Sequence, residues 1–187
     1  MRFIQTLKNI WKIEDLRKRI LITFLFVVVY RFGSFVVLPG IDPAQLQALQ
    51  TNASSGLLSL FDMFSGGAFA NASIFALGIM PYISASIVMQ LLGIVIPSLQ
   101  KLQREGESGR NKMNQYTRYL TVGILLLQGP AYIYGAVRSA IPGGFWDWVL
   151  PATIILAAGS MFVLWLGERI TDKGIGNGIS FIILVGI

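Results

Sequence analysis

Long apolar segments, separated by shorter polar stretches, dominate the sequence. Residues 20–38, 73–96, 117–137 and 149–167 each approach or exceed the roughly 20 residues that a helix needs to cross the hydrocarbon core of a bilayer. Most of the charged side chains lie between these segments. The pattern predicts an all-α polytopic membrane protein.

A final apolar stretch, 179–187, is too short to cross a membrane. At about 1.5 Å per residue it covers only about 14 Å of a core that is roughly 30 Å thick. We therefore expect the natural polypeptide to continue past Ile187, with this chain as the front part of a larger membrane protein.

The first residues, 1–19, are rich in Lys and Arg and carry Phe3, Leu7, Ile10 and Trp11 at helical spacing. Basic side chains opposite an apolar face are typical of a helix that lies on the membrane surface. The pattern predicts an amphipathic N-terminal helix, and a frayed basic tail is the alternative.

Arg31 stands inside the first apolar segment, towards its end. A charge at that depth is costly unless the side chain reaches the interface, pairs with another group or faces water. The sequence leaves these alternatives open.

The segment 57–67, LLSLFDMFSGG, is apolar but too short to span, and Gly66-Gly67 should end its helix. If it does not cross, the basic N-terminus and the basic loop 97–116 lie on the same side of the membrane. If it crosses, that loop faces outwards, which the positive-inside rule disfavours.

The favoured topology has a cytoplasmic N-terminus and cytoplasmic loops 97–116 and 168–178. The loop 39–72 and the hairpin 138–148 are external. The short segment 57–67 then enters from outside without crossing. It either dips into a cavity that is open to the outside or rests on the outer leaflet.

Composition excludes several kinds of site. The chain has no Cys and no His, which removes disulfides, Cys or His metal sites and catalysis by a thiolate or an imidazole. The close carboxylate pairs Glu14-Asp15 and Glu105/Glu107 lie in Lys/Arg-rich stretches, as solvated surface would. Net charge is +6, and its position at segment ends favours a topological role over nucleic-acid binding. We expect no enzyme activity, no metal and no cofactor.

Several long motifs give the chain a resemblance to a known family. It resembles the bacterial-type SecY family, the channel subunits of the Sec protein translocon, over the N-terminal half of that fold. The stretches that carry the resemblance are MFSGGA (63–68), ASIFALGIMPYISASIVMQLL (72–92), REGESGR (104–110), QYTRY (115–119) and WLGERITDKGIGNGISFII (165–183).

The resemblance implies a SecY-type helix bundle. This chain would supply helices one to five, the first half of a pseudo-symmetric ten-helix channel. Segment 57–67 would be a re-entrant plug helix, and segment 73–96 would be helix 2b, one side of a lateral gate. Segment 117–137 would be helix three, 149–167 helix four, and 179–187 the truncated start of helix five. The implied function is translocation of unfolded secretory proteins and lateral release of membrane proteins.

The resemblance also implies roles for individual residues. Spacing alone puts Ile79, Ile83 and Ile87 on one helical face, which more often meets lipid or another helix than a pore. The matched motifs assign a pore ring, a plug and a lateral gate. The ring residues are Ile79, Ile83, Ile179 and Ile183, the plug residues are Leu57, Leu58, Leu60, Phe61, Met63, Phe64, Gly66 and Gly67, and the gate residues are Ser84 and Ile87.

Pro81 and the small residues around it fit two interpretations. Inside a helix, Pro81 would remove one donor and free the carbonyl of Leu77. Gly78, Ser84 and the neighbouring small residues allow close helix packing, either permanent or at a seam that parts. The glycine-rich KGIGNG (173–178) lacks the strand and the Lys-Ser/Thr ending of a phosphate loop.

The implied partners are SecE and SecG, the motor ATPase SecA or a ribosome, signal sequences, nascent polypeptides and the lipid bilayer. The implied location is the bacterial cytoplasmic (inner) membrane. A secondary transporter is the distant alternative, because such carriers usually need intramembrane carboxylates and these spans nearly lack them. An intramembrane protease with a Ser-His arrangement is disfavoured within this part of the protein because the chain has no His, and further helices remain open as its source.

Overall fold

The computed structural model describes residues 13–41, 57–137 and 145–186. Most of the predicted N-terminal amphipathic helix and the tip of the predicted hairpin 138–148 lie outside these ranges. So do the side chains of the predicted plug residues Leu57, Leu58 and Phe61.

The described chain is a bundle of helices, which confirms the all-α prediction. The helices are α1 (Glu14–Ser34), α2 (Leu57–Ser65), α3 (Met80–Val95), α4 (Pro97–Arg104), α5 (Glu107–Tyr132), α6 (Leu150–Lys173) and α7 (Gly178–Gly186). A π-helical turn, Ile133–Val137, continues α5, and a second, Phe145–Val149, leads into α6.

Helix α1 runs without a break across the predicted border between residues 19 and 20. Its first turns are supported by exposed ion pairs, Glu14 with Lys18 and Asp15 with Arg19. The helix ends at Ser34, so the predicted end at Leu38 is wrong. The residues after it pair with the chain near Ser73 instead, because the Leu38 amide donates to the Ala72 carbonyl at 2.9 Å.

Helix α3 begins at Met80, so the predicted start at Ser73 is also wrong. Residues 66–79 form consecutive turns, in which Gly78 has a positive φ of 51° that a right-handed helix cannot contain. Pro81 lies in the first turn of α3, where its missing N–H would have no partner in any case. The interpretation that Pro81 frees a helical carbonyl at Leu77 is therefore wrong.

The predicted cytoplasmic loop 97–116 is largely helical. Helix α4 leaves α3 at an angle of 103° at Ile96, the residue that precedes Pro97. Helix α5 begins at Glu107, ten residues before the predicted span at Thr117 (117 − 107 = 10). It continues through Pro130 to Tyr132 before widening into the π-helical turn.

Helix α6 is central to the bundle and contacts α1, α5 and α7. It extends to Lys173, so most of the predicted loop 168–178 is helical. Among the described residues, Asp147–Lys173 is the one helical stretch long and apolar enough to cross a membrane by itself, and α3 with α4 meets that condition only as a bent pair. That the apolar parts of α1 and α5 cross a membrane stays a prediction.

Two apolar clusters fill the interior on the faces of α6. One surrounds Leu156, with Leu38, Ile133 and Val149 among its buried members. The other joins α1, α6 and α7 to the turns before α3, and its buried members are Tyr30, Ala68, Phe75, Ile79, Val163, Leu166, Ile170 and Ile182. We call the second set the inner cluster, because predicted pore-ring residues meet there with the turn that follows the predicted plug.

Candidate functional site

The predicted plug helix α2 ends in a two-glycine hinge. Gly66 and Gly67 have φ values of 66° and 81°, which only glycine adopts at little cost. The Asp62 carboxylate accepts a hydrogen bond from the Ala70 amide at 2.8 Å, and the Asp62 carbonyl accepts one from the Gly67 amide at 3.0 Å. Asp62 therefore ties the helix to the turn that follows it.

The end of α2 lies beside Gly78, the residue that precedes the predicted ring residue Ile79. A Cβ built on Gly78 would stand 3.8 Å from the Cα of Ser65, the last residue of α2. Ala68, two residues after Gly66, is fully buried in the inner cluster together with Ile79. The end of the short helix and the start of α3 thus share one packing site.

Three of the four predicted ring residues come together there. Ile79 is 5% exposed, and Ile83 and Ile179 pack against the inner cluster while remaining partly exposed. The Ile83 amide donates to the Ile79 carbonyl at 3.1 Å, so the two residues are one helical turn apart. Ile183 is half-buried and is not among the residues of that cluster.

Close contact between α6 and α7 sets the position of Ile179. A Cβ on Gly167 of α6 would lie 3.1 Å from Ile179 Cγ1. A Cβ on Gly178 of α7 would overlap the carbonyl oxygen of Gly167. Glycine at these two positions lets the helices approach closely enough to carry Ile179 into the inner cluster.

The two predicted gate residues have different surroundings. The Ser84 hydroxyl donates to the Met80 carbonyl of its own helix at 3.1 Å, so it bonds within α3. Ile87 is 52% exposed, and Ala85 between them is buried. Ile87 therefore lies on an open apolar face of α3.

A charged pair that was not among the predicted site residues joins α5 to α6. Arg118 Nη2 lies 2.7 Å from Glu168 Oε1, and its Nε donates to the same oxygen at 3.0 Å. The pair lines an open cavity of about 340 Å³ together with Tyr82, Asn111 and Asn177. The sequence held a signal for this ion pair, because Arg118 lies at the start of one apolar segment and Glu168 directly follows the next one.

Arg31, whose partner the sequence left open, also has a defined environment. Its guanidinium donates to the main-chain carbonyls of Gly66 and Val185, at 3.2 and 2.6 Å. A pattern of side chains gives no signal for such bonds, because their acceptors are main-chain atoms.

Comparison with known proteins decides the family. A sequence model of the SecY family matches residues 73–187. The chain belongs to the SecY family. It is 49% identical over 177 residues to the protein translocase subunit SecY of Pseudomonas aeruginosa, and 48% identical over 179 residues to that of Escherichia coli K12. These alignments cover 94% and 92% of this chain but only 40% of each relative.

The fold agrees with this assignment. A solved structure described as "The structure of a protein conducting channel" superposes with a TM-score of 0.60 and 20% identity, over 91% of this chain and 36% of the other. Sec61 in a canine ribosome-channel complex from the endoplasmic reticulum gives the same values. The predicted SecY-type bundle is confirmed. The SecY family to which the chain belongs consists of multi-pass membrane channel proteins and not of classical enzymes.

Proposed function

We propose that this chain forms the first half of a protein-conducting channel that passes unfolded polypeptides across a membrane and releases hydrophobic segments sideways into it. The observation that carries the proposal is the position of the end of α2, where Ser65 lies close to Gly78 and the chain then enters the cluster that contains Ile79. A short apolar helix that stops beside a group of isoleucines is suited to closing a pore. The chain spans about 40% of the relatives' length, so the pore also needs the remainder of the polypeptide.

In this proposal Ile79, Ile83, Ile179 and Ile183 form one side of a narrow apolar ring. Such a constriction is poorly wetted, so it resists ion flow, yet its side chains can contact a passing chain of any sequence. The shared packing of three of these residues supports the assignment. Ile183 would join them from α7, one helical turn beyond Ile179.

The segment 57–67 is proposed as the plug. Leu60 and Met63 are each 50% exposed, and Phe64 is 38% exposed, so α2 has apolar surface left to meet the rest of a funnel. Gly66 and Gly67 supply the hinge about which α2 would move. The turns after the hinge are buried and would stay in place.

Ser84 and Ile87 are proposed as lateral-gate positions on α3. The exposed apolar face at Ile87 continues through Leu91 and Ile94, which are 58% and 70% exposed. A face of this kind suits a seam that closes on another helix and opens to lipid. A photo-crosslinker at position 87 should capture a signal sequence during translocation, whereas one at the buried position 85 should not.

The proposed topology has a cytoplasmic N-terminus in a bacterial inner membrane, and two contacts support the grouping of segments that it requires. Arg118 and Glu168 pair at one end of the bundle, so the predicted cytoplasmic segments 97–116 and 168–178 lie at the same end. Trp148 Nε1 donates to the Pro39 carbonyl at 3.1 Å, which brings two predicted external segments together. The proposed partners are SecE, SecG and SecA or a ribosome.

Ion conductance through the reconstituted complex tests the pore. In the complete polypeptide with its partner subunits, the double variant I79G/I83G should raise the resting ion leak. Ile94→Gly is the matched control, because it puts the same helix-weakening residue on the open face of α3. An I79G/I83G channel no leakier than the Ile94→Gly channel would contradict the ring assignment.

A further inference from the structure

Two consecutive side chains of α1 bind two consecutive carbonyls at the plug hinge. The Tyr30 hydroxyl donates to the Ser65 carbonyl at 3.1 Å. Arg31 Nη1 donates to the Gly66 carbonyl at 3.2 Å, and its Nη2 donates to the Val185 carbonyl of α7 at 2.6 Å. One turn of α1 thereby joins the hinge of α2 to α7.

The acceptors are groups that a helix end leaves without helical partners. The last carbonyls of a helix have no intrahelical donor, and a cation near them is favoured by the helix dipole. Arg31 meets this condition at the end of α2, with its charge directed at the Gly66 carbonyl. An arginine inside an apolar segment, costly by itself, acquires polar partners in this way.

Packing fixes both donors and brings the hinge close to α7. Tyr30 is 1% exposed and its ring stacks on Phe75, with centroids 6.2 Å apart and planes within 4°. A Cβ on Gly66 would stand 3.1 Å from the Cα of Gly186 and 3.3 Å from Arg31 Nη1. The hinge is therefore held between α1 and α7 with little free space.

We propose that Tyr30 and Arg31 form a latch that holds the plug closed by binding the main-chain carbonyls of its hinge. The inference rests on the proposed function, because it takes α2 as the plug. Movement of α2 about Gly66 and Gly67 breaks the bonds from Tyr30 and Arg31 and also the bonds that the Ala70 and Phe69 amides donate to Asp62 and Ser65. The buried turns from Ala68 onwards keep their packing in the inner cluster. The latch thus sets how often the resting channel opens.

Tyr30→Phe is the cleanest variant, because it removes one hydroxyl and keeps the stacked ring. Arg31→Gln removes the charge and shortens the donor. Loss of one such hydrogen bond should shift the ratio of open to closed plugs by about tenfold. We expect a higher resting ion conductance from each variant and a larger increase from the double variant.

Tyr132→Phe is the matched control. The Tyr132 hydroxyl also donates to a main-chain carbonyl, that of Phe69, at 2.8 Å, and the residue is 6% exposed. Its acceptor lies beyond the hinge, in the turns that stay in place. The variant removes the same chemical group from a similarly buried site, and its resting conductance should equal that of the unaltered channel.

The measurement is single-channel or bulk ion conductance of the complete polypeptide with its partner subunits in a bilayer, with deletion of 57–65 as the reference for a missing plug. If the deletion raises conductance while Y30F and R31Q behave like Y132F, the latch is wrong and the channel function stands. If the deletion itself leaves conductance unchanged, α2 is not a plug and the latch fails with it. Raised conductance in Y30F and R31Q alongside an unchanged Y132F supports the latch.

Discussion

Gly178 of α7 meets Gly167 of α6 backbone to backbone, with no room between them for a methyl group. A Cβ on Gly178 would overlap the Gly167 carbonyl oxygen and lie 2.7 Å from Ile170 Cβ. The first obstacle is a main-chain atom and the second is the branch point of a buried side chain, so neither can move away by a change of rotamer. The contact between α6 and α7 therefore depends on glycine at position 178.

Gly178→Ala should destabilise the protein by about 1–3 kcal/mol, the usual cost of overfilling a packed site. The free energy of unfolding of the complete polypeptide, measured by denaturant titration in mixed micelles, checks this. Gly123→Ala is the control, because nothing stands within 4 Å of a Cβ there and the position is exposed on α5. Alanine is the better helix former, so Gly123→Ala should be neutral or stabilising. Equal losses in both variants would contradict the packing argument.

The two hinge glycines should respond unequally to alanine. Both have positive φ, which costs a residue with a Cβ about 1–2 kcal/mol. At Gly66 the new methyl would also crowd Gly186 and Arg31, whereas at Gly67 the nearest atom is Asn71 Nδ2 at 3.8 Å. Gly66→Ala should therefore lower the midpoint of thermal unfolding more than Gly67→Ala. The reverse order would show that close packing at Gly66 is not what matters.

The pair Arg118 and Glu168 should contribute little to stability despite its short distance. The side chains are 47% and 30% exposed, so water and salt screen their attraction. A double-mutant cycle with R118Q and E168Q should give a coupling energy below about 1 kcal/mol, and that energy should fall as salt is raised. A coupling of several kcal/mol that is insensitive to salt would mean that the pair is desolvated in the complete protein.

Charge and hydropathy predicted the helical character of the chain and the separate short helix before Gly66. They did not predict where α5 begins or where α6 ends, because hydropathy falls at the membrane surface while the helix continues. Residues 107–116 are polar and still helical. The helical end of α6 near Lys173 was missed for the same reason.

The start of α3 was missed for a different reason. Residues 73–79 are apolar because they are buried in turns, and an apolar run of that length does not distinguish a buried turn from a helix. Pro81 held the available signal, since proline favours the first turn of a helix. Of the candidate site, the isoleucines came from the family resemblance, whereas the bonds from Tyr30 and Arg31 to carbonyls have no counterpart in a side-chain pattern.

The acceptors at the proposed plug hinge have a consequence for sequence variation. Tyr30 and Arg31 bind carbonyl oxygens, which every residue has. The proposed latch therefore makes no demand on the side chains at Leu60, Met63 or Phe64. Substitutions at these positions leave its bonds unchanged, so an identical pair of residues in α1 is able to restrain α2 helices of different sequence.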